Sequence, residues 1–140
     1  MRYLAILIVA ITFLSCKDME IIRYEYRTTT QMGRTVLAVT KDSVTVTFNG
    51  RSEPTYWARE TKEEEWNALN ESMKDVDLSK VSTLEAPSNK RATDAAPFGM
   101  FTFTGKDSSI SSASFDAKNP NEMLMPLMQV FNKIEGENKK

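Results

Sequence analysis

The sequence predicts an α+β domain in which an antiparallel sheet of about five to six strands carries two helices on one face. Three observations predict this fold class. Several segments alternate apolar and polar residues with a period of two, which is typical of half-buried strands. Two other segments space their apolar residues by three and four, as amphipathic helices do. Strands precede and follow the first helix and the second helix ends the chain, so the predicted order is β-β-β-β-α-β-β-α.

Four strands are predicted before the first helix. In the first strand, aromatic and aliphatic residues point to one face and charged residues to the other. The second and third strands flank the two-residue turn Lys41-Asp42, and the third is followed by Asn49-Gly50, the strongest turn sequence in the chain. The four strands are expected at residues 20–28, 35–40, 43–48 and 55–59.

The first helix is expected to begin with a capping box formed by Thr61 and Glu64, whose side chains each bond to a backbone amide. It is expected to end near Lys74 or Asp75, and residues 77–84 are expected to add another helical turn. The apolar stripe of this helix consists of Trp66, Leu69, Met73 and Val76.

Residues 85–98 show no periodicity and contain two prolines, so a loop is predicted there. At about 14 residues it is long for a compact domain, and loops of this length often carry function. Loops held on a rigid scaffold are also where recognition residues usually lie. The candidate recognition residues are Asn89, Lys90, Arg91, Asp94 and Phe98.

Two strands and a helix are predicted after the loop. The strands are expected at 99–104 and 109–115, and the serines of the second strand are expected to form an exposed polar face at the sheet edge. The helix is expected to be capped by Asn119. Pro126 interrupts its apolar stripe and predicts either a kink or a later start, and Gly136 is expected to end it.

The composition excludes several classes of function. Histidine is absent, which removes the commonest general base, His-activated nucleophiles and every His-containing zinc site. The single cysteine excludes an intramolecular disulfide and a cluster of thiolate ligands. With 18 basic and 19 acidic side chains, the chain lacks the concentrated positive charge that nucleic-acid binding needs. We therefore expect no catalytic residue, no metal, no cofactor and no nucleic-acid partner.

The first 15 residues have the composition of a signal peptide. Arg2 precedes an apolar run from Leu4 to Leu14, which is shorter than the roughly 20 residues that span a bilayer. Its length is typical of the hydrophobic region of a signal peptide. The alternative is a buried N-terminal strand or helix.

The sequence Phe13-Leu14-Ser15-Cys16 resembles the lipobox of bacterial lipoproteins of the Bacteroidota type. Ser15 is the small residue preferred before the cysteine, and Phe13 stands where leucine is usual. The resemblance implies that a diacylglyceryl group is attached to Cys16, that the chain is cut before it and that the new amino group is acylated. It therefore implies a lipid-anchored protein of the bacterial envelope.

The residues after the cysteine, 17–20, partly resemble the acidic export signal of lipoproteins on the surface of the outer membrane. This resemblance implies export to the outer face of the outer membrane, and the alternative is a solvated tether near the lipid headgroups. Attachment to the outer membrane is expected, and the sequence leaves open which of its faces carries the protein. The chain is expected to divide into a signal peptide at 1–15, a lipidated tether at 16–20, one α+β domain at 21–136 and a disordered tail at 137–140.

Two further features have both a structural and a functional explanation. The sequence Asp42-Ser43-Val44 resembles the O-glycosylation pattern of Bacteroidota proteins, which makes Ser43 a candidate acceptor. Aromatic residues in strands are usually core residues, but exposed ones would suit a face that binds a sugar or a peptide. The aromatic residues concerned are Tyr24, Tyr26, Tyr56, Trp57 and Trp66.

The mature part resembles small uncharacterised envelope lipoproteins, which implies no particular activity. The leading hypothesis is a non-catalytic binding or accessory domain, anchored to the membrane by lipid, that recognises a protein or glycan through the loop at 85–98 and the nearby sheet edge. The alternative is an inhibitor or immunity-type lipoprotein whose loop inserts into an envelope-directed enzyme such as a lysozyme or a protease. A hydrolase, the third class, would need a cleft holding a carboxylate of strongly perturbed pKa.

Overall fold

The computed structural model describes residues 19–93 and 96–138 of the chain. It confirms the predicted α+β class: a seven-stranded antiparallel sheet carries two α-helices on one face. The strands are β1 (Arg23–Thr30), β2 (Gly33–Thr40), β3 (Ser43–Gly50), β4 (Thr55–Glu60), β5 (Phe98–Thr104), β6 (Ser109–Ser111) and β7 (Phe115–Asp116). The helices are α1 (Glu63–Met73) and α2 (Met125–Glu137), and short 3-10 helices lie at Leu78–Thr83, Lys90–Thr93 and Glu122–Leu124.

The strands lie in the order β4-β3-β2-β1-β5-β6, and β7 pairs with the opposite end of β5 from β6. The first four strands form a meander, because each pairs with the next one in the chain. After α1 and the loop, β5 returns to pair with β1, so β1 is central and β4 is an edge.

The core lies between the helices and one face of the sheet, which we call the inner face. Phe101 of β5 is at its centre: its ring centroid is 5.1 Å from that of Phe115 and 5.7 Å from that of Phe131 in α2. Each fully buried side chain of this size contributes about 1.5–3 kcal/mol through the loss of apolar surface from water. The fully buried inner-face and helical residues include Tyr24, Val39, Val44, Leu69, Phe103, Leu127, Met128 and Ile134.

The turn between β2 and β3 lies at Lys41 and Asp42 as predicted, but the turn predicted at Asn49-Gly50 is wrong. These two residues end β3, where Gly50 pairs with Gly33 of β2, and the chain turns over residues 51–54. The physical reason is close approach: a Cβ atom at Gly50 would collide with the carbonyl oxygen of Met32 and lie 2.6 Å from Cζ of Phe48. The glycine therefore makes room for a backbone carbonyl and an aromatic ring at the end of β3.

The predicted apolar stripe packs on the core, although Val76 lies beyond the end of α1, and the predicted capping box is wrong by one residue. The Thr61 hydroxyl donates to the carbonyl of Thr40 at 2.8 Å, so it bonds to the sheet and does not cap the helix. Lys62 takes the cap position, and its backbone N–H donates to the Glu65 carboxylate at 2.9 Å. The helix ends at Met73, close to the predicted end, and the helical turn expected at 77–84 is the 3-10 helix Leu78–Thr83.

The strand predicted at 109–115 is split into β6 and β7, which is why the sheet has seven strands. Ser109 and Ser111 are exposed as predicted, but Ser112 is buried. Its hydroxyl accepts a hydrogen bond from the backbone N–H of Phe101 at 3.0 Å, and its own N–H donates to the Phe101 carbonyl. The serine thus satisfies backbone groups where the strand breaks.

Pro126 delays the start of the last helix rather than kinking it, which is one of the two predicted outcomes. Asn121 caps the 3-10 helix that precedes α2, so the cap predicted at Asn119 is wrong. Gly136 lies within the last turn of α2, one residue before its end, and does not terminate it.

None of the helices within residues 19–93 and 96–138 is long and apolar enough to cross a membrane. Residues 1–15 and Cys16 lie outside the described residues, so the signal peptide and the lipidation stay predictions.

Candidate functional site

The predicted recognition loop is held to the sheet by one buried carboxylate. Asp116 of β7 is 4% exposed and accepts hydrogen bonds from the backbone N–H groups of Lys90 and Arg91, each at 2.9 Å. The Arg91 guanidinium adds a 3.2 Å contact, and the Ser88 hydroxyl donates to the other carboxylate oxygen. The segment 88–91 is therefore wrapped around a single charged group.

These contacts set the protonation state of Asp116. Burial would raise its pKa, but the hydrogen bonds from Ser88, Arg91 and Lys90 outweigh burial and hold the pKa well below its usual range. Asp116 is ionised at neutral pH, and donors from the loop occupy both of its oxygens. Its perturbed pKa thus reflects a structural anchor and gives no indication of general acid chemistry.

Two asparagines before α2 provide a second line of attachment. The Asn119 side-chain amide donates to the Ser88 hydroxyl at 2.9 Å, and the Asn121 amide donates to the carbonyl of Glu85 at 2.8 Å. The loop is therefore fixed at 85, 88 and 90–91. A loop fixed in this way loses little conformational entropy when it binds a partner.

The structure separates the predicted recognition residues into different roles. Asn89 and Lys90 have exposed side chains, whereas Arg91 is half-buried and its guanidinium is bound to Asp116 and to the Ser88 carbonyl. Asp94 lies outside the described residues. Phe98 is the first residue of β5, next to Thr29 of β1, and is 43% exposed. Arg91 thus holds the loop in its conformation, and the neighbouring side chains of Asn89 and Lys90 form the exposed surface of the loop.

A cleft of about 390 Å³ lies beside Phe98, and we call it the Phe98 cleft. Met32, in the turn between β1 and β2, is 63% exposed and forms its opposite wall. Met32 and Asp116 are not among the residues predicted from the sequence, because no local pattern indicates that β1 pairs with β5. The cleft is lined by Thr29, Thr30, Gln31, Met32, Ala96, Pro97 and Phe98.

The aromatic residues do not form a common binding face. Tyr24 and Tyr26 are core residues; burial raises the pKa of Tyr24 to about 12, and its hydroxyl donates to Asn70 at 2.8 Å. Tyr56 is 70% exposed and Trp57 is 40% exposed, but they are neighbours on β4 and point to opposite faces, as predicted. Trp66 packs edge-on against Tyr24, with ring centroids 5.5 Å apart.

The other candidates stand apart from the Phe98 cleft. Ser43 is half-buried at the start of β3, and its hydroxyl lies 3.3 Å from that of Thr40, so its glycosylation stays a prediction. In the described part of the chain, no group of three or more histidine, cysteine, aspartate or glutamate residues is placed to hold a metal ion.

The end of the sheet opposite the Phe98 cleft carries the first described residue. Met19 packs against Gly105 in the turn after β5: a Cβ atom at Gly105 would lie 2.5 Å from Cγ of Met19. The Ser108 hydroxyl also lies 3.3 Å from the Met19 sulfur, and the Ile22 N–H donates to the Thr104 carbonyl at 2.8 Å. Met19, within the predicted tether, therefore contacts the domain. We call this region the Met19 end.

Comparison of the chain with protein-family models, with curated proteins and with solved structures found no match.

Proposed function

We propose that this protein is a lipoprotein of the bacterial envelope, anchored to the outer membrane through Cys16, whose domain binds a protein or glycan partner without catalysing a reaction. The binding surface consists of the Phe98 cleft and the exposed loop residues Asn89 and Lys90. The lipobox-like sequence supports the anchor. The loop contacts to Asp116 support the binding role, because they present an exposed segment in one conformation.

The observation that carries this proposal is the position of Met19 relative to the Phe98 cleft. Only Lys17 and Asp18 separate Cys16 from Met19, so the Cα atoms of Cys16 and Met19 are at most about 11 Å apart. The Met19 end would then lie at the lipid headgroups. The cleft lies at the other end of β1, whose eight residues extend over about 25 Å. The proposed anchor thus directs the cleft away from the membrane.

The anchor is tested by labelling cells with an alkyne fatty acid. We expect the wild-type protein to be labelled and to fractionate with membranes, and Cys16→Ala to lose both properties. Label that persists in Cys16→Ala would overturn the lipidation, since the chain has no other cysteine.

The binding role is tested by photo-crosslinking in intact envelopes. A photoreactive amino acid in place of Asn89 or Phe98 should give the same discrete crosslinked species, which mass spectrometry identifies. The matched control is the same amino acid at Gln129, an exposed position of α2. Equal crosslinking from all three positions, or none from Asn89 and Phe98, would contradict the proposed surface.

The fixed loop also suits the alternative, an inhibitor that inserts the loop into a lysozyme or protease. Deleting residues 89–95 would be a poor test, because it removes donors on which the buried Asp116 depends. The double substitution Asn89→Ala and Lys90→Ala keeps those backbone donors. The inhibitor hypothesis is favoured if the wild-type protein inhibits an envelope-directed lysozyme or protease and the double variant does not. It is excluded for the enzymes assayed if the wild-type protein does not inhibit them.

A further inference from the structure

Two arginines lie side by side on the outer face of the sheet, the face away from the helices. In the register of the strands, Arg27 of β1 is opposite Val36, and Thr29 is opposite Arg34 of β2. Arg27 and Arg34 are therefore diagonal neighbours, a relation that places Cβ atoms roughly 7–8 Å apart. This is within the reach of two guanidinium groups that converge on one ligand.

Both arginines line a groove of about 330 Å³, which we call the arginine groove. One wall is cationic and comes from β1 and β2. The other is apolar and comes from β5, where Phe98 neighbours Thr29 and Met100 neighbours Arg27. Ser114 adds a hydroxyl group, so the groove combines positive charge, hydroxyl groups and an apolar surface.

Neither of the two guanidinium groups forms an ion pair within residues 19–93 and 96–138. Nε of Arg27 is buried and makes no hydrogen bond. Two carboxylates of the sheet have other partners: Glu25 of β1 pairs with Arg23 at 3.2 Å, and Asp116 of β7 pairs with Arg91. A buried donor without an acceptor and two neighbouring cations without an anion both destabilise the empty groove.

We propose that the arginine groove binds an oxyanion, a carboxylate or a phosphate, that is attached to an apolar group. Guanidinium groups bind both oxyanions through paired hydrogen bonds. The apolar part of the ligand packs on Phe98 and Met100, and the oxyanion supplies the acceptor that Nε of Arg27 lacks. This inference rests on the proposed binding function and deepens it, because Phe98 belongs to both the arginine groove and the Phe98 cleft and the partner would carry such a group.

The test is a titration of the full-length protein, purified in detergent, followed by the backbone amide signals in NMR spectra. The probes are phenyl phosphate, phenylacetate and the neutral benzyl alcohol. We expect at least one anion to shift the signals of Arg27, Thr29, Arg34 and Phe98 at millimolar concentration, and benzyl alcohol to leave them unchanged. The anion that binds more tightly identifies the oxyanion as a phosphate or a carboxylate, and added salt should weaken its binding.

The decisive variant is Arg34→Ala, because Arg34 is exposed and its truncation leaves the core intact. Loss of a charged hydrogen bond should weaken binding roughly tenfold or more. The matched control is Arg23→Ala, which removes the same charge from the same face of the sheet, but at an arginine that is already paired with Glu25. It should leave binding unchanged.

Three results would overturn oxyanion binding at the arginine groove: no shift of the NMR signals with either anion, equal shifts with benzyl alcohol, or equal weakening of anion binding by Arg34→Ala and Arg23→Ala. Each is distinguishable from failure of the proposed function. If Asn89 still gives a crosslink while any of these results is found, the domain binds a partner, but not through an oxyanion in the arginine groove. If no crosslink forms but the anion binds specifically, the arginine groove binds an oxyanion and the proposed binding function is wrong.

Discussion

Asp116 shows how one side chain can organise a functional segment. A buried carboxylate is costly unless hydrogen bonds compensate it, and here the compensation comes from the loop. The carboxylate therefore selects the loop conformation in which two consecutive backbone N–H groups point toward β7. The conformation of segment 88–91 therefore depends on a residue that lies about 25 positions later in the chain.

Replacing Asp116 by Asn should loosen the loop while the sheet stays folded. The amide lacks the negative charge and one acceptor oxygen, so one of the N–H groups of Lys90 and Arg91 loses its acceptor and the other keeps only a neutral one. We expect faster hydrogen exchange at these two amides and unchanged exchange in β1–β3. Asp42→Asn, at an exposed turn, is the control. Unchanged exchange at Lys90 and Arg91 in the Asp116 variant would show that other contacts hold the loop.

The same carboxylate makes stability depend on pH in acid. A carboxyl group whose pKa is lower in the folded protein stabilises it above its unfolded pKa, and this contribution is lost as the pH falls through the folded value. The pKa of Asp116 is lowered, so its contribution should be complete above about pH 4 and decline below it. Urea unfolding at several pH values should show a shallower acid dependence in Asp116→Asn. An identical pH dependence in both proteins would contradict this assignment.

At the scale of elements, Arg59 joins the edge strand β4 to both helices. Its guanidinium donates to the Glu65 carboxylate at 2.8 and 2.5 Å, and its Nε donates to Asn138, just after α2, at 3.0 Å. The pairing with Glu65 raises the pKa of Arg59. Burial works against ionisation of Glu65, but the bonds from Arg59 and from the N–H of Lys62 leave its pKa lowered.

Arg59→Met should therefore destabilise the fold, because it leaves the buried Glu65 carboxylate without its cationic partner. We expect a loss of about 2–4 kcal/mol in the free energy of unfolding, measured with urea. Lys74→Met breaks the exposed pair between Lys74 and Glu71 and is the matched control, for which we expect no measurable change. Equal effects of the two substitutions would show that the pair with Glu65 is not structurally important.

Local patterns predict the elements of this protein well. Period-two alternation locates β1 to β5, the apolar stripe locates α1, and Pro126 indicates the later start of α2. The errors occur where a residue serves a partner far away in the chain. Thr61 bonds to β2 instead of capping α1, and Gly50 makes room for the carbonyl of Met32 and the ring of Phe48 instead of making a turn.

The candidate site is predicted less well, and for the same reason. The lack of periodicity in residues 85–98 locates the loop. Arg91, however, is predicted to contact a partner because it is charged and lies in this loop, whereas its guanidinium binds Asp116 and holds the loop in place. The Phe98 cleft and the arginine groove both require the pairing of β1 with β5, which lie more than sixty residues apart in the chain. Non-local pairing of this kind has no signature in a single sequence.

At the scale of the whole molecule, β5 contains both a core aromatic residue and an exposed one. Phe101→Ala removes a fully buried ring and should cost about 3–5 kcal/mol of unfolding free energy. Phe98→Ala is the matched substitution on the same strand, and it should change stability far less while reducing binding at the Phe98 cleft. Thermal unfolding measures how much stability each variant loses relative to the wild-type protein. Equal losses of stability would show that Phe98 stabilises the fold as much as Phe101 does.

The central claim is that the lipid anchor holds the Met19 end at the membrane and directs the Phe98 cleft away from it. Because lipid would occupy the only cysteine, a second one can carry a fluorophore. Lys106→Cys marks the turn beside Gly105, and Gln31→Cys marks the turn between β1 and β2 at the opposite end. These two lipidated variants are reconstituted into vesicles whose headgroups carry spin labels.

The account predicts strong quenching of the fluorophore at position 106 and weak quenching at position 31, since the length of β1, about 25 Å, separates the two turns. Equal quenching at both positions, or stronger quenching at position 31, would contradict the proposed orientation.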